Sequence, residues 1–172
     1  MSTFALPQKF QNWINKRNWG LHTHQIDVLT NSDRKSQLLI APTGSGKTLS
    51  GFLPTLIELD RVNFSGLHTV YVSPLKALAA DIKRNLMIPI EEMGLNIKVE
   101  DRTGDTTAKT KRRQRIDPPQ ILLTTPESLA LLISFPEANA LFANLERIII
   151  DEIHALVENK PVSYTHLRAH ET

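Results

Sequence analysis

The sequence predicts an α/β fold, with a mostly parallel sheet covered by helices on both faces. Its apolar strands are short, rich in Val, Ile, Leu and Thr, and separated by segments with helical spacing, a pattern typical of parallel sheets. A Gly-rich loop lies between one predicted strand and the helix that follows it. Polar residues follow the strands directly, at the carboxyl ends where such sheets carry their functional groups.

The amino-acid composition limits the class of protein. With 172 residues the chain has the length of one domain, or of one domain with tails. Its hydrophobic fraction of 41% supports a real core, and its net charge of +2 is too small to argue for nucleic acid by itself. It has no cysteine, no apolar run near the ~20 residues of a membrane span, and no signal pattern at its N-terminus. We therefore expect a cytoplasmic protein without a membrane partner.

The first elements are predicted from helical spacing and from breakers. Apolar residues recur at helical intervals in residues 7–18, and Gly20 ends that helix. A second short helix is predicted for residues 21–29 and is followed by a polar turn. The apolar run 38–41 is predicted as the strand that enters the Gly-rich loop, and the helix after the loop begins at Lys47.

The remaining elements alternate between strands and helices. Short runs of β-branched and other apolar residues mark the strands, and glycines and prolines mark the breaks between elements. Pro126 suits the first position of a helix, where its missing N–H has no partner to lose. The further predicted strands are residues 69–72, 96–100, 121–124 and 147–150. The further predicted helices are residues 75–87, 106–116, 127–133 and 136–142.

The Gly-rich loop reads Ala-Pro-Thr-Gly-Ser-Gly-Lys-Thr at residues 41–48. Glycines let backbone N–H groups curl around phosphate oxygens, and the helix that follows adds its positive N-terminal end. In such a loop Lys47 reaches the β- and γ-phosphates of a nucleotide and the Thr48 hydroxyl holds Mg²⁺. Ala41 departs from the strict pattern, which begins with Gly, and the alternative is a chance turn before a helix. The nucleotide-binding candidates of the loop are Thr43, Gly44, Ser45, Gly46, Lys47 and Thr48.

Two carboxylates follow the last predicted strand. Asp151 and Glu152 come directly after four residues of that strand, and His154 lies two positions further on. An acid at the end of a buried strand suits a partner for Mg²⁺, acting through bound water, and the adjacent acid can orient and deprotonate an attacking water. The alternative is two carboxylates at a solvated strand end, which the Gly-rich loop makes the weaker interpretation.

These residues resemble the motifs of superfamily 2 DExH-box helicases. Residues 41–48 and 151–154 resemble the first and second motifs, residues 73–78 resemble motif Ia, and residues 124–127 resemble motif Ib. The segment 102–106, followed by basic residues and two prolines, is similar to the Lhr-like (large helicase-related) group, which includes bacterial DNA-ligase-associated DExH helicases. The resemblance covers about residues 4 to 157, in the right order.

The resemblance implies a RecA-like P-loop NTPase domain that is the first motor domain of a helicase. It implies that Lys47, Thr48, Asp151 and Glu152 bind and hydrolyse ATP with Mg²⁺. It also implies that Gln25 reads the adenine edge, as in a Q-motif, although an ordinary exposed helix residue is the alternative. His154 would couple the ATP site to the second motor domain or to nucleic acid.

The resemblance also implies that the protein binds one strand of nucleic acid, either single-stranded or part of a duplex. Hydroxyls, backbone N–H groups and a lysine at the starts of helices suit phosphates without reading bases. The candidates are Ser73, Pro74, Lys76, Thr103, Gly104, Thr124, Thr125 and Pro126. The alternative for Ser73 and Thr125 is a helix N-cap before proline, and the two roles can coexist.

A basic run precedes the two prolines and allows two interpretations. One is a solvated helix face, and the other is a sequence-independent contact with phosphates that would weaken with salt. The residues of this run are Lys109, Lys111, Arg112, Arg113 and Arg115.

The domain organisation is predicted as N-terminal helices carrying Gln25 in residues 1–36 and a truncated RecA-like helicase ATP-binding domain in residues 37–160. Residues 161–172 match nothing that the resemblance predicts and are expected to be a non-native or disordered tail. The predicted function is an ATP-dependent helicase or translocase, with DNA as the favoured substrate and repair as its setting. A second RecA-like domain outside these residues would complete the motor. The alternatives are a P-loop ATPase of another class and a non-catalytic fragment that binds nucleotide or nucleic acid.

Overall fold

The computed structural model describes residues 5–42 and 44–158. Thr43 and the predicted tail therefore lie outside the described residues. The helices of this part of the chain are α1 (Gln8–Lys16), α2 (Thr23–Thr30), α3 (Lys47–Arg61), α4 (Lys76–Glu92), α5 (Ala108–Ile116), α6 (Pro126–Ile133), α7 (Ala138–Leu141) and α8 (Ile153–Glu158). Its strands are β1 (Thr69–Val72), β2 (Val99–Arg102), β3 (Ile121–Thr124) and β4 (Arg147–Ile150).

The four strands form one parallel sheet in the order β2-β3-β1-β4. Val72 at the end of β1 is paired in register with Thr124 of β3 and with Ile150 of β4. Parallel strands end at the same edge of a sheet, so the segments after all four strands meet at one edge. The predicted parallel sheet is confirmed, and its carboxyl edge is where the candidate residues follow.

Apolar side chains cover both faces of the sheet. Tyr71 and Leu123 point to the face that packs against α1, α2, α3 and α4. Val70 and Leu122, one position earlier in each strand, point to the opposite face and pack with residues of α6 and α7. This alternation follows from the two-residue period of a strand, and it confirms the prediction of helices on both faces.

The strand predicted for residues 38–41 is wrong. These residues form no strand in the structure, and the side chains of Leu38 and Ile40 are 75% and 85% exposed. Within the described residues β4 pairs with β1 alone, so its other side has no strand beside it. An apolar run becomes a strand when a neighbour completes its hydrogen bonds, and this run has no such neighbour here.

The strand predicted for residues 96–100 has its boundaries shifted. The structure has β2 at Val99–Arg102, so three of its four residues are charged: Glu100, Asp101 and Arg102. Arg102 is only 4% exposed, and its guanidinium donates to the Lys111 carbonyl at 2.8 Å. Charged residues in a sequence argue against a strand. Here the hydrogen bond from Arg102 to a carbonyl outside the strand offsets part of the free-energy cost of burying the charge.

The predicted helices are confirmed, with shifted ends. Helix α4 continues to Glu92, beyond the predicted end at residue 87, and contains Pro89 in its last turn. Helix α8 follows the acidic pair and was not predicted from the sequence. In the part of the chain that the structure describes, no helix is long and apolar enough to cross a membrane.

Candidate functional site

The Gly-rich loop turns by means of two glycines with positive φ. Gly44 has φ +79° and Gly46 has φ +77°, a left-handed region that side chains with a Cβ rarely adopt. Between them, the Ser45 hydroxyl donates to the Pro42 carbonyl at 2.7 Å. Gly46 is also the N-cap of α3, so the loop passes directly into a helix whose first residue is Lys47.

Lys47 and Thr48 lie in the first turn of α3 and are half-buried. Neither side chain has a hydrogen bond or an ion pair with any other described residue. A helix of this length presents free N–H groups and the positive end of its dipole at this turn. An ammonium, a hydroxyl and backbone donors together make a site that suits a polyphosphate.

Gln25 contacts the Gly-rich loop itself. Its side chain is buried, its Oε1 accepts from the His22 backbone N–H at 2.9 Å, and its Nε2 donates to the Gly46 carbonyl at 3.4 Å. The alternative of an ordinary exposed helix residue is therefore wrong. Reading of adenine by Gln25 stays a prediction, and the structure adds a contact that the sequence did not indicate.

Helix α3 meets the carboxyl half of the sheet through its first two turns. A Cβ on Gly51 would lie 3.4 Å from Ile149 Cγ2, so α3 approaches β4 closely at this point. The Phe52 ring stacks on the Tyr71 ring of β1, with 5.3 Å between the ring centroids. The beginning of α3 is thus held close to the two strands that carry Ser73 and Asp151 at their ends.

The later turns of α3 contact the opposite ends of the same strands. Thr55 Oγ1 lies 3.0 Å from Thr69 Oγ1 at the start of β1. Glu58 accepts from the Arg147 guanidinium at the start of β4 in two hydrogen bonds of 2.6 and 2.9 Å. Helix α3 therefore runs antiparallel to β1 and β4, and its N-terminus lies at the carboxyl edge of the sheet.

Asp151 is held by three described hydrogen bonds. Its backbone N–H donates to the Val72 carbonyl at 3.0 Å. Its Oδ1 accepts from the Glu152 N–H at 2.9 Å, and its Oδ2 accepts from the Tyr71 hydroxyl at 2.5 Å. Burial, and then the hydrogen bond to Asp151, raise the pKa of Tyr71 well above its usual range, so the phenol remains a proton donor.

Glu152 adopts a backbone conformation that is unusual for its residue type. Its φ is +49°, in the left-handed region, although it has a Cβ. Such a conformation is retained where the surrounding structure imposes it, often at functional sites. The Glu152 carboxylate lies 3.3 Å from His154 Nε2, and both side chains are substantially exposed. The structure therefore brings the predicted water-activating acid and the predicted coupling residue together.

The segments after β1, β3 and β2 lie side by side at the carboxyl edge. The Ser73 N–H donates to the Thr124 carbonyl at 3.0 Å, and the Thr124 hydroxyl donates to the Arg102 carbonyl at 2.7 Å. Thr103 follows Arg102 directly. The structure thus gathers the nucleic-acid candidates of three separate chain segments into one row.

The hydroxyls in this row are buried, which the sequence did not predict. Ser73 and Thr124 are fully buried and Thr125 is 4% exposed. Thr125 accepts from the Ser128 N–H and caps α6, which begins at Pro126, so the capping interpretation is confirmed for Thr125. It is wrong for Ser73, because the N-cap of α4 is Leu75. The Ser73 hydroxyl has no hydrogen-bond partner among the described residues.

Two lysine ammonium groups lie beside the loop that follows β2. Lys76 Nζ lies 2.9 Å from Asp105 Oδ1, and a Cβ on Gly104 would lie 3.2 Å from the same nitrogen. Lys111 Nζ donates to the Gly104 carbonyl at 2.9 Å. The sequence missed the pairing of Lys76 with Asp105, because the two residues are 29 positions apart and no pattern relates them.

The basic helix α5 divides into paired and unpaired cations. Arg113 forms an ion pair with Glu100, and Arg115 lies over the Phe135 ring at 4.2 Å. Lys109 and Arg112 have no ion pair or hydrogen bond with another described residue. The solvated-face interpretation fits Arg113 and Arg115. Phosphate contact stays a prediction for Lys109 and Arg112, and for Lys111, whose ammonium donates to the neutral Gly104 carbonyl.

Comparison with known proteins shows related sequences. The sequence profile of the DEAD/DEAH box helicase family matches residues 22–170. The ATP-dependent helicase Lhr-Core of Methanocaldococcus jannaschii is 42% identical over 143 residues, which are 74% of this chain and 17% of that protein. The Lhr helicase/uracil glycosylase of Escherichia coli is 40% identical over 142 residues, which are 72% of this chain and 9% of that protein. The chain thus spans less than a fifth of the length of these relatives.

Solved structures agree with this relationship. The Mycobacterium smegmatis helicase Lhr, bound to ssDNA and AMP-PNP, matches 87% of this chain and 20% of its own chain, with a TM-score of 0.76 and 37% identity. The DEAD-box helicase Mss116, at 22% identity and a TM-score of 0.74 over 90% of this chain and 32% of its own, shares the fold. The RecA-like fold and the Lhr resemblance are confirmed, and the chain belongs to the DEAD/DEAH box helicase family, among relatives of the Lhr type.

Proposed function

We propose that this chain is the ATP-binding first motor domain of a cytoplasmic, ATP-dependent DNA helicase or translocase associated with repair. The observation that carries the proposal is the shared carboxyl edge of the parallel sheet. The N-terminus of α3, the acidic pair after β4 and the nucleic-acid candidates after β1, β3 and β2 all lie along it. One edge therefore offers both a polyphosphate site and a phosphate-binding row. We place the motor domain in residues 37–160, with residues 1–36 as its adjoining helices.

The ATP site is assigned to the Gly-rich loop, to the first turn of α3 and to the acid that follows β4. Gly44, Gly46 and the first turn of α3 offer backbone N–H groups to the phosphates, and Lys47 offers its ammonium. Thr48 and Asp151 are the oxygen ligands assigned to Mg²⁺. A hydroxyl and one carboxylate suit this ion, since it keeps several waters and takes few protein ligands when bound with a nucleotide. When bound, Mg²⁺ would offset the charge of the phosphates.

Glu152 is assigned the role of orienting and deprotonating the attacking water. Its carboxylate is half-exposed and its backbone is held in a strained conformation by the turn after β4. A general base contributes roughly 10²–10⁴ to a rate. His154, within 3.3 Å of that carboxylate, is assigned the coupling of the site to nucleic acid or to the second motor domain.

The nucleic-acid row is assigned to phosphate contacts. Lys76 and Lys111 supply charge, and Gly104 and the start of α4 supply backbone N–H groups. Backbone donors are favoured over the hydroxyls of Ser73 and Thr124, which are fully buried. DNA is favoured over RNA because the Lhr structure with 37% identity was solved with ssDNA.

The test separates nucleotide binding from hydrolysis in the full-length protein. Lys47→Ala removes the ammonium at the phosphates and should weaken ATP affinity. Glu152→Gln should leave affinity unchanged and slow turnover roughly 10²–10⁴-fold, because only the proton acceptor is lost. The measurements are affinity for a fluorescent ATP analogue and ATP turnover, with and without ssDNA or ssRNA of one sequence.

Matched controls come from exposed positions away from the edge. Lys16→Ala in α1 and Glu91→Gln in α4 make the same chemical changes and should alter neither measurement. Normal turnover in the Glu152 variant would remove its assigned role. Turnover that neither nucleic acid stimulates would contradict a nucleic-acid motor, and equal stimulation by the two would contradict the preference for DNA.

A further inference from the structure

The Tyr71 phenol is a buried hydroxyl that points at the candidate metal ligand. Tyr71 lies within β1 and is 1% exposed, and Asp151 Oδ2 lies 2.5 Å from its hydroxyl. Tyr71 and Ile149 are paired in register, and Asp151 lies two positions after Ile149 on the same face of the sheet. The strand geometry therefore directs the phenol at the carboxylate.

The hydrogen bonds of Asp151 leave room for further partners. The two carboxylate oxygens offer about four lone-pair sites, and Tyr71 and the Glu152 N–H each occupy one. The terminal torsion of an aspartate is soft, so a carboxylate with one hydrogen bond can still rotate. A second donor on the other oxygen fixes the plane of the carboxylate while lone pairs stay available.

The Tyr71 ring is itself held in place. It stacks on Phe52 of α3 with an interplanar angle of 28°, and α3 begins at the Gly-rich loop. The donor of Asp151 is thus fixed against the helix that carries Lys47 and Thr48. A tyrosine that only filled the core would need a partner for its hydroxyl, but this partner is the carboxylate assigned to Mg²⁺.

We propose that Tyr71 is a positioning residue that holds the Asp151 carboxylate in the orientation required to bind the metal–nucleotide complex. The proposal rests on the ATP site assigned above. Tyr71 itself touches neither nucleotide nor reacting water, and it acts through Asp151. Outer partners of metal ligands commonly change metal affinity or activity by about 10–100-fold when they are removed.

The test replaces Tyr71 by phenylalanine in the full-length protein. Tyr71→Phe deletes the hydroxyl and keeps the ring on Phe52. We expect the Mn²⁺ concentration that half-saturates the protein with AMP-PNP, measured by electron paramagnetic resonance of free Mn²⁺, to rise at least about tenfold. We expect the Mg²⁺ requirement of ATP turnover to rise in parallel, with less than about a threefold change in the ATP KM at saturating Mg²⁺.

Two further variants separate positioning from packing. Phe52→Leu removes the stacked ring and keeps the phenol, so it reports the effect of loosened packing on metal affinity. In an Asp151→Asn background Tyr71→Phe should add little further loss, since the two residues act as one unit. An unchanged Mn²⁺ affinity in Tyr71→Phe, an equal shift in Phe52→Leu, or additive losses in the double variant would each overturn the proposal.

Measurements on the wild-type protein distinguish a failure of this proposal from a failure of the proposed function. A wild-type protein that binds Mn²⁺ with AMP-PNP and hydrolyses ATP retains the proposed function even if Tyr71→Phe has no effect. A wild-type protein without metal-dependent nucleotide binding overturns both. A tenfold shift in Tyr71→Phe together with a clearly smaller shift in Phe52→Leu supports the positioning role.

Discussion

Gly46 is subject to several structural requirements at once. Its φ of +77° lies in the left-handed region, and its carbonyl accepts from the Ser50 N–H at 3.0 Å. The same carbonyl accepts from Gln25 Nε2, and a Cβ on Gly46 would lie 2.9 Å from that nitrogen. Glycine is therefore required both by the backbone turn and by the approach of α2.

We predict that Gly46→Ala is more destabilising than Gly44→Ala. Both substitutions force a Cβ into a left-handed conformation, at about 1–2 kcal/mol each. Only Gly46→Ala also displaces Gln25, since among the described residues, chain neighbours aside, no atom lies within 4 Å of a Cβ on Gly44. The measurement is the midpoint of urea denaturation of the motor domain for each variant.

Truncation of Gln25 provides the control for that comparison. In a Gln25→Ala background the added methyl at position 46 meets no side-chain amide, so the two glycine variants should become equally stable. If they still differ by the same amount, the contact with Gln25 is not the cause.

At the scale of elements, the start of α4 and the loop after β2 meet through the ion pair of Lys76 and Asp105. The two side chains are 53% and 80% exposed, so the pair adds little to stability. The Asp105 carboxylate, however, pairs with the Lys76 ammonium, which we have assigned to contact with a nucleic-acid phosphate. On that assignment, Asp105 would compete with phosphate for Lys76.

We predict opposite effects of Lys76→Ala and Asp105→Asn on ssDNA binding. Lys76→Ala should weaken binding and reduce the slope of log affinity against log salt by about 0.7, the value for one phosphate contact on a single strand. Asp105→Asn should strengthen binding, because it frees the ammonium and removes a negative charge. The measurement is fluorescence anisotropy with several unrelated strands at two salt concentrations.

The pair Arg84–Asp81 on α4 is a suitable control. It is a similarly exposed ion pair, with 2.8 Å between its charged groups. Arg84→Ala and Asp81→Asn should change the slope of log affinity against log salt by less than the value of about 0.7 for one phosphate contact. Weaker binding by Asp105→Asn, or a large preference of the wild type for one strand sequence, would contradict the assignment.

Most elements could be predicted because local patterns determine them. β1 and β3 are apolar runs with partners on both sides, and their predicted bounds are confirmed. The failures occurred where distant residues decide. Residues 38–41 are apolar but have no strand beside them, and β2 includes Arg102 because α5 offers a carbonyl to its guanidinium.

The residues of the candidate site could be predicted from the sequence, but the contacts between them could not. Gly-rich loops and acidic pairs carry short-range signals, so Lys47 and Asp151 were identifiable from their neighbours. Tyr71 lies 80 positions before Asp151, and strand register alone brings the two together. A tyrosine in an apolar run otherwise indicates only core packing.

At the scale of the whole molecule, the chain is much shorter than the relatives that it matches. It spans 17% of the length of the M. jannaschii relative. In helicases of this superfamily the resemblance implies that an arginine from the second motor domain reaches the γ-phosphate. Such an arginine contributes roughly 10³–10⁵ to the rate of phosphoryl transfer.

We predict that the 172-residue chain hydrolyses ATP negligibly and without stimulation by ssDNA. Lys47 and the backbone donors can hold the phosphates, but the charge of the transferring group lacks its second cationic partner. The measurement is ATP turnover with and without ssDNA, beside a longer chain that includes the second motor domain. Equal stimulation of the two chains would show that these residues already form a complete motor.

The strand order β2-β3-β1-β4 has a consequence for how much nucleic acid the domain can span. Neighbouring strands lie about 4.8 Å apart, so the ends of β2, β3 and β1 extend over roughly 10 Å. Stacked nucleotides advance about 3.4 Å each along one strand. On the proposed phosphate-binding role, the row would span about three nucleotides, and the acid after β4 lies one strand spacing beyond its end. A displacement of one nucleotide along this row would be comparable in length to the distance between neighbouring strands.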